Sequence, residues 1–211
     1  MGIRHIYLTN PKKFKDVVNL ELLRIEYLSC DIDISIYDFL IFTSKNGVIG
    51  AFISGLDFAS KKIICISNET ANEVRKIGFE PFFVGISGHG KDFANEIRTI
   101  VNNGKSLFFR PNEVASDLQE KLSVDGIQID SAIIYKTTCN KLLDVKIPKN
   151  SFIIFTSPKN YNCFISNFTW DESFTAIAIG KTTFESLAPN IKKYCAPKTS
   201  IDACVEFSRQ L

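Results

Sequence analysis

Short apolar runs alternate with stretches that repeat at helical spacing along the chain, and the arrangement is plainest in two places. Asp38 to Val48 reads DFLIFTSKNGV, and Ser151 to Tyr161 reads SFIIFTSPKNY. Each holds a four-residue run with no polar face, as expected of a parallel strand covered on both sides. Each run ends in Thr-Ser, a hydroxyl pair able to cap the helix that follows. The two copies lie 113 residues apart (Thr43 to Thr156). A second pair keeps the same offset: ISNETA around Thr70 and IGKTTF around Thr183. Two matches in register imply a duplicated α/β domain.

The rest of the chain fits that frame. Ile3 to Leu8 is predicted as a strand, and Lys12 to Asp16 leaves room for a turn or two of helix. Leu20 to Leu28 is read as a second strand running into a connector, and Ile32 to Ile36 carries no helix signal. Lys45 to Ser60, with Val48, Phe52 and Phe58, predicts a helix broken at Gly55. A strand at Lys62 to Ser67 leads into a helix over Asn68 to Gly78, with Gly78 as its stop. Glu80 to Val84 is a strand, Gly85 to Gly90 a glycine-rich loop, and Lys91 to Asn103 a helix ended by Gly104. Leu107 to Phe109 forms a strand ending at Arg110-Pro111. Glu113 to Val124 repeats Val114, Leu118 and Leu122 at helical spacing, and Ile127 to Thr137 is a strand. Beyond Phe152 come strands at Thr175 to Ile179 and Lys193 to Ala196, a short helix from Thr183, and a last helix from Ser200 to Arg209.

Strand–helix alternation throughout means α/β with parallel sheets and right-handed crossovers. Residues from Tyr37 to Tyr135 supply a complete five-stranded doubly wound sheet, while the tail supplies about three strands and lacks the first two. The expected architecture is therefore two doubly wound, flavodoxin-like domains, the first discontinuous. Its parts are residues 1–22 and 150–211; residues 36–132 form the inserted domain, and 23–35 and 133–149 are the connectors.

Composition is ordinarily globular, with 45% apolar and 23% charged residues. A net charge of +2 is too small to favour nucleic acid or an anionic membrane by bulk attraction. The N-terminal stretch has no signal-peptide core, position 6 is not Ser or Thr as a myristoylation signal needs, and no apolar run approaches a membrane span. The expectation is a soluble cytoplasmic protein. Six cysteines show no CxxC pair and no metal-ligand spacing with His5 or His89, so buried free thiols, Cys65 and Cys163 among them, are expected.

In open α/β sheets ligands bind outside the carboxyl ends of the strands. Those ends offer Thr43 and Ser44, Asn68 and Thr70, Thr156 and Ser157, and Gly180, Lys181, Thr182 and Thr183. Each group opens a helix, so each presents unpaired N–H groups and a positive dipole end, contributing roughly 0.3–1 kcal/mol per bound anion. Four such turns suit a large polyanion held in a cleft, although each hydroxyl would equally cap its own helix. Arg110 is placed to clamp a carboxylate or to make a structural pair, and Tyr135 to present its hydroxyl or to pack as a half-buried strand residue. No dinucleotide fingerprint, Walker loop, nucleophile elbow or paired histidine motif occurs. Two readings stand at this point: an enzyme working by positioning, and a non-catalytic two-domain binding protein for a polyanionic small molecule.

The order IFTSKNGV, ISNETA, FFRPNEVASDL, IIYKTT, IFTSPKN, AIGKTTFESL, with a late Pro197-Lys-Thr199, resembles the uroporphyrinogen-III synthase family nearly end to end. The resemblance implies two α/β domains joined by a two-stranded linker, the first discontinuous. It implies a lyase that closes hydroxymethylbilane with loss of water and inversion of ring D, through a spiro intermediate, to uroporphyrinogen III. It further implies no metal or cofactor, a small-molecule substrate, and a monomer in at most transient contact with the preceding enzyme of the pathway. Carried over residue by residue, it assigns both Thr-Ser turns, Asn68 with Thr70, and Gly180 with Thr182 and Thr183 to substrate binding, and Tyr135 to proton donation to the leaving hydroxyl. Ser67 stands where Gly is usual, Lys181 where Pro is common, and Asn10 where a strand-end Arg is frequent.

Overall fold

The computed structural model describes residues 5–86, 90–113, 117–142 and 144–211. The expectations placed on Met1, Gly2, Ile3, His89 and Val114 lie outside them. The chain divides into two compact units, one built from the described residues up to Arg24 together with Thr138–Leu211, the other from Ile25–Thr137.

The chain begins with β1 (Ile6–Leu8) and β2 (Val17–Asn19) of the first unit, paired in parallel. It leaves through β3 (Leu23–Tyr27). The second unit follows as β4 (Phe39–Phe42), α1 (Lys45–Ile53), β5 (Lys62–Cys65), α2 (Asn68–Lys76), β6 (Phe83–Val84), α3 (Gly90–Val101), β7 (Ser106–Pro111), α4 (Leu118–Val124) and β8 (Ile129–Cys139). The chain then returns to the first unit as β9 (Phe152–Phe155), α5 (Pro158–Asn167), β10 (Thr175–Ala178), α6 (Lys181–Ser186), β11 (Lys193–Cys195) and α7 (Ile201–Gln210).

The first unit's sheet runs β11-β10-β9-β1-β2 and is parallel at every pairing. Counted within the unit this is the order 2-1-3-4-5, the flavodoxin-like one. The second sheet runs β3-β8-β7-β4-β5-β6, in which β4 to β8 follow the other doubly wound order, 3-2-1-4-5. β3 adds an edge strand beside β8. Leu28 N–H donates to Ile134 and Asn140 N–H to Leu22, so β3 and β8 run in opposite directions and carry both crossings of the chain as one ribbon.

Period-2 burial explains why the strands read as continuous apolar runs. In β4, Leu40 and Phe42 pack with Val48 and Ala51 of α1 and Ala71 and Val74 of α2, while Phe39 and Ile41 pack with α3 and α4 through Phe93, Ile97 and Leu118. In β9, Ile153 and Phe155 face Tyr161 and Phe164 of α5, and Phe152 and Ile154 face Cys204 and Val205 of α7. Each fully buried Phe or Ile contributes on the order of 1.5–3 kcal/mol. Both sheets are thus helix-covered on both faces.

Five sequence expectations are corrected. Residues 12–16 form no helix; Asp16 turns the chain through the left-handed region (φ 61°), and the β-branched pair Val17-Val18 then starts the strand expected at Leu20. Leu20 and Leu22 instead bury their side chains between β2 and β3. Ile34–Ile36 forms a 3-10 turn because the Asp33 carboxylate accepts from the Ser35 N–H, a local cap that apolar periodicity does not reveal. Phe52 lies 47% exposed on the outer face of α1. Cys163 is no free thiol: it is bridged to Cys139, because α5 packs beside the end of β8 and brings two cysteines 24 residues apart to a Cα separation of 5.2 Å. Cys65 and Cys204 are free and buried, and burial pushes their thiols up to about 12 and about 11.

Candidate functional site

A doubly wound sheet opens a crevice where neighbouring strands send their connections to opposite sides. In the second unit this point lies between β4 and β7, and in the first between β1 and β9. Both Thr-Ser turns stand at these points, and the physical reason is local. An apolar strand ends, and the serine adopts an extended backbone (φ −158° for Ser44, −162° for Ser157) that lets its Oγ accept from the first helical turn.

In the second unit, Ser44 Oγ accepts from Asn46 N at 3.2 Å and stands near enough to the Tyr135 hydroxyl to lower its titration. Tyr135 reaches Ser44 through an irregularity in the sheet. Arg110 pairs with Ile133 but Pro111 pairs with Tyr135, so Ile134 is an extra residue. With strict alternation Tyr135 would share the face of Ile133, which is 38% exposed; the bulge turns both Ile134 and Tyr135 inward. Asn112 N–H closes the bulge on the Tyr135 carbonyl at 2.9 Å. Burial raises the phenol above its ordinary value of 10.0, and the Ser44 side chain offsets part of that rise. Tyr135 is accordingly a proton-bearing group at neutral pH, suited to donate rather than to abstract.

Around this pair lie Tyr27, whose hydroxyl donates to Asn46 Oδ1 at 3.4 Å, and Lys45, which pairs with Glu69 at 3.1 Å across the two helix starts. Burial first, then Glu73 and Tyr135, raise the Tyr27 phenol, and Lys45 offsets part of that rise. Thr43 is half-buried, Asn68 is exposed at the start of α2, and Thr70 is buried with its hydroxyl 3.5 Å from Ser67 Oγ. Arg110 is held against its own sheet, its Nε donating to Ser131 Oγ and its Nη1 to the Pro111 carbonyl, both at 3.1 Å. These bonds are the structural pairing that the sequence left open.

In the first unit the crevice contains a cavity of about 370 Å³ lined by Thr9, Asn10, Thr156, Asn160, Leu20 and Leu22, among others. A hydrogen-bonded cluster forms its polar wall. Thr9 Oγ1 donates to the Ile154 carbonyl at 2.9 Å and accepts from Thr156 N; Thr156 Oγ1 donates to the Thr9 carbonyl at 3.2 Å. Asn160 Nδ2 donates to Thr156 Oγ1 at 2.9 Å and to Ser157 Oγ at 3.1 Å. At the second turn of this unit Gly180 is extended and opens α6 without a side-chain cap. Thr183 is buried there, Thr182 is exposed, and Lys181 reaches toward Glu185 at 3.7 Å.

Within each unit, then, the predicted residues gather at strand ends. Tyr27, Thr9 and Asn160 escaped the sequence reading as site residues. The signal for Asn160 was present, because it occupies the position that Gly47 takes in the first copy of the motif (Gly47 to Asn160, again 113 residues). Among the described residues no helix is long and apolar enough to cross a membrane.

A family model for uroporphyrinogen-III synthase HemD matches residues 16–206. The fold is similar to a crystal structure of uroporphyrinogen-III synthetase from Helicobacter pylori 26695, at 26% identity over 99% of both chains and a TM-score of 0.79. A mutant uroporphyrinogen III synthase from the extremely thermophilic bacterium Thermus thermophilus shares the fold at 11% identity over 98% of each chain, with a TM-score of 0.53. No curated protein sequence matches the chain.

Proposed function

Because the chain belongs to the uroporphyrinogen-III synthase family, we propose that it is a hydro-lyase that cyclises hydroxymethylbilane, losing water and inverting ring D through a spiro intermediate to yield uroporphyrinogen III. The observation that carries this reading is the family match across residues 16–206, supported by the structural likeness over 99% of the chain.

The strand-end chemistry fits the reaction. The substrate is a flexible chain of four pyrroles bearing eight carboxylates, and its hydroxyl departs with help from the pyrrole nitrogen. Little acid is needed, whereas unguided closure gives the wrong isomer, so holding one curled conformation is the main contribution. Backbone N–H groups opening α1, α2, α5 and α6, with the hydroxyls of Thr43, Ser44, Thr70, Ser157, Thr182 and Thr183, are the donors for those carboxylates, while Thr156, whose proton goes to the Thr9 carbonyl, holds the turn in place. Gly180 contributes its backbone, and Asn68 and Lys181 add polar or cationic groups at the same strand ends, while Arg110, tied to Ser131 and Pro111, braces the end of β7. Tyr135, protonated at neutral pH and seated beside Ser44 by the bulge at Ile134, gives its proton to the leaving hydroxyl. The reading takes the protein as a cytoplasmic monomer that receives its labile substrate from the enzyme that makes it; gel filtration tests the monomer.

The test is product analysis: hydroxymethylbilane is generated in place, the protein is added, and the oxidised products are separated into isomers I and III. Predominant isomer III is expected. Isomer I alone, at the spontaneous rate and from folded protein, would overturn the assignment.

A further inference from the structure

A hydroxyl group has one proton to give and two lone pairs with which to accept. Applied to the hydrogen-bonded cluster beside the β1–β9 cavity, whose lining includes Thr9, Thr156 and Asn160, that inventory separates three hydroxyls. The Thr9 proton goes to the Ile154 carbonyl, and the Thr156 proton to the Thr9 carbonyl. Ser157 differs. Its Oγ accepts from Asn160 N at 3.2 Å and from Asn160 Nδ2 at 3.1 Å, which fills both lone pairs with N–H donors. The one capacity left to Ser157 is donation.

We infer that Asn160 is a positioning residue, whose amide occupies the acceptor sites of Ser157 and Thr156 and so commits the Ser157 hydroxyl to donate its proton to a carboxylate of the substrate. The inference rests on the cyclase reading for the identity of that carboxylate. Three features support it. Asn160 is only 5% exposed, so its amide is held in place rather than sampling solvent. The direction of its amide follows from Thr156, which spends its own proton on Thr9 and must therefore receive one from Asn160. And Ser157 is only half-buried, at the start of a ten-residue helix whose positive end favours an anion.

The two copies of the motif reach this state by different means. In the second unit the position equivalent to Asn160 is Gly47, whose added Cβ would meet the Phe109 carbonyl at 3.3 Å, so a side chain there would crowd the β7 backbone. There the serine's neighbour is the Tyr135 hydroxyl instead. One Thr-Ser turn is thus tied to the proposed proton donor, and the other is given wholly to holding the ligand.

The test separates positioning from stability. In Asn160→Asp the side chain keeps its shape but offers only acceptors, so the Ser157 proton turns inward and a negative charge faces the ligand. The helix dipole offsets only part of the cost of a charge at a side chain 5% exposed, so the melting temperature is expected to fall, and KM is read on protein shown to be folded at the assay temperature. KM is expected to rise about tenfold or more, with kcat within about threefold, because a hydrogen bond to a charged group is lost. Fluorescence titration with uroporphyrin III, an octacarboxylate probe, should weaken in parallel. Asn160→Ala should raise KM about threefold in the unchanged protein and leave it unaltered in a Ser157→Ala background. An unchanged KM and probe affinity in Asn160→Asp would overturn the inference, as would additive KM effects of Asn160→Ala and Ser157→Ala. Isomer III production by the unaltered protein reports on the cyclase reading separately, so the two failures are distinguishable.

Discussion

In the proposed mechanism the Tyr135 hydroxyl supplies the acid, and its environment sets how the rate is expected to respond to pH. Burial raises the phenol above 10.0, so the protonated form is complete below that value and is lost only as pH rises through the higher folded value. The rate is therefore expected to show no alkaline limb attributable to Tyr135 up to about pH 10, and a profile falling near pH 8 would assign proton donation to another group. Ser157→Ala removes an N-cap as well as a ligand donor, and should cost about 1 kcal/mol of stability in denaturant unfolding. At this scale much was legible: both Thr-Ser turns, Thr70 and Thr183 announce themselves as hydroxyls following apolar runs. Tyr135 could be placed at a strand end but not on a face, since a bulge at Ile134 leaves no trace in local periodicity. The cluster around Asn160 was legible only in part. Its partners Thr156 and Ser157 are its neighbours in sequence, but Thr9 lies 147 residues from Thr156 and meets it only through the pairing of β1 with β9.

Elements that bury both faces were readable because a parallel strand covered on both sides produces runs such as FLIF and FIIF, and the caps that bound them set their length. Helix ends followed from serines at their starts and from Gly78 and Gly126, which take the left-handed conformation after α2 and α4. The failures were the short pieces. β2 has three residues among polar neighbours, and the turn at Ile34–Ile36 rests on a single carboxylate cap. One prediction belongs to the packing of α1 on β8. A Cβ on Gly50 would lie 2.8 Å from Ile134 Cγ1 and 3.0 Å from its carbonyl oxygen. Gly50→Ala should then destabilise by about 1–3 kcal/mol through overpacking, despite alanine's better helix propensity, and should also disturb the bulge that seats Tyr135. Unfolding that is unchanged or shifted in the stabilising direction would show that α1 is free to move away.

For the molecule as a whole, the strand count made the insertion of one α/β unit into another visible, because a tail with three strands needs two from the start of the chain. The two sheets differ in strand order, 2-1-3-4-5 against 3-2-1-4-5, which duplicated motifs alone would not suggest. The disulfide was invisible to spacing rules for a similar reason: Cys139 closes the ribbon strand and Cys163 sits on α5. By loop length the bridge contributes about 3 kcal/mol, so Cys139→Ser/Cys163→Ser should melt roughly 6–12 °C lower. An equal melting temperature with and without reductant would mean the bridge adds nothing. The central claim is that the chain selects one ring closure chiefly by positioning, with Tyr135 assisting. The most direct measurement is the rate and isomer composition of products from Tyr135→Phe, made from hydroxymethylbilane generated in place. The account predicts a lowered rate with isomer III still predominant; a folded variant yielding only isomer I at the spontaneous rate would contradict it and make acid catalysis the essential contribution.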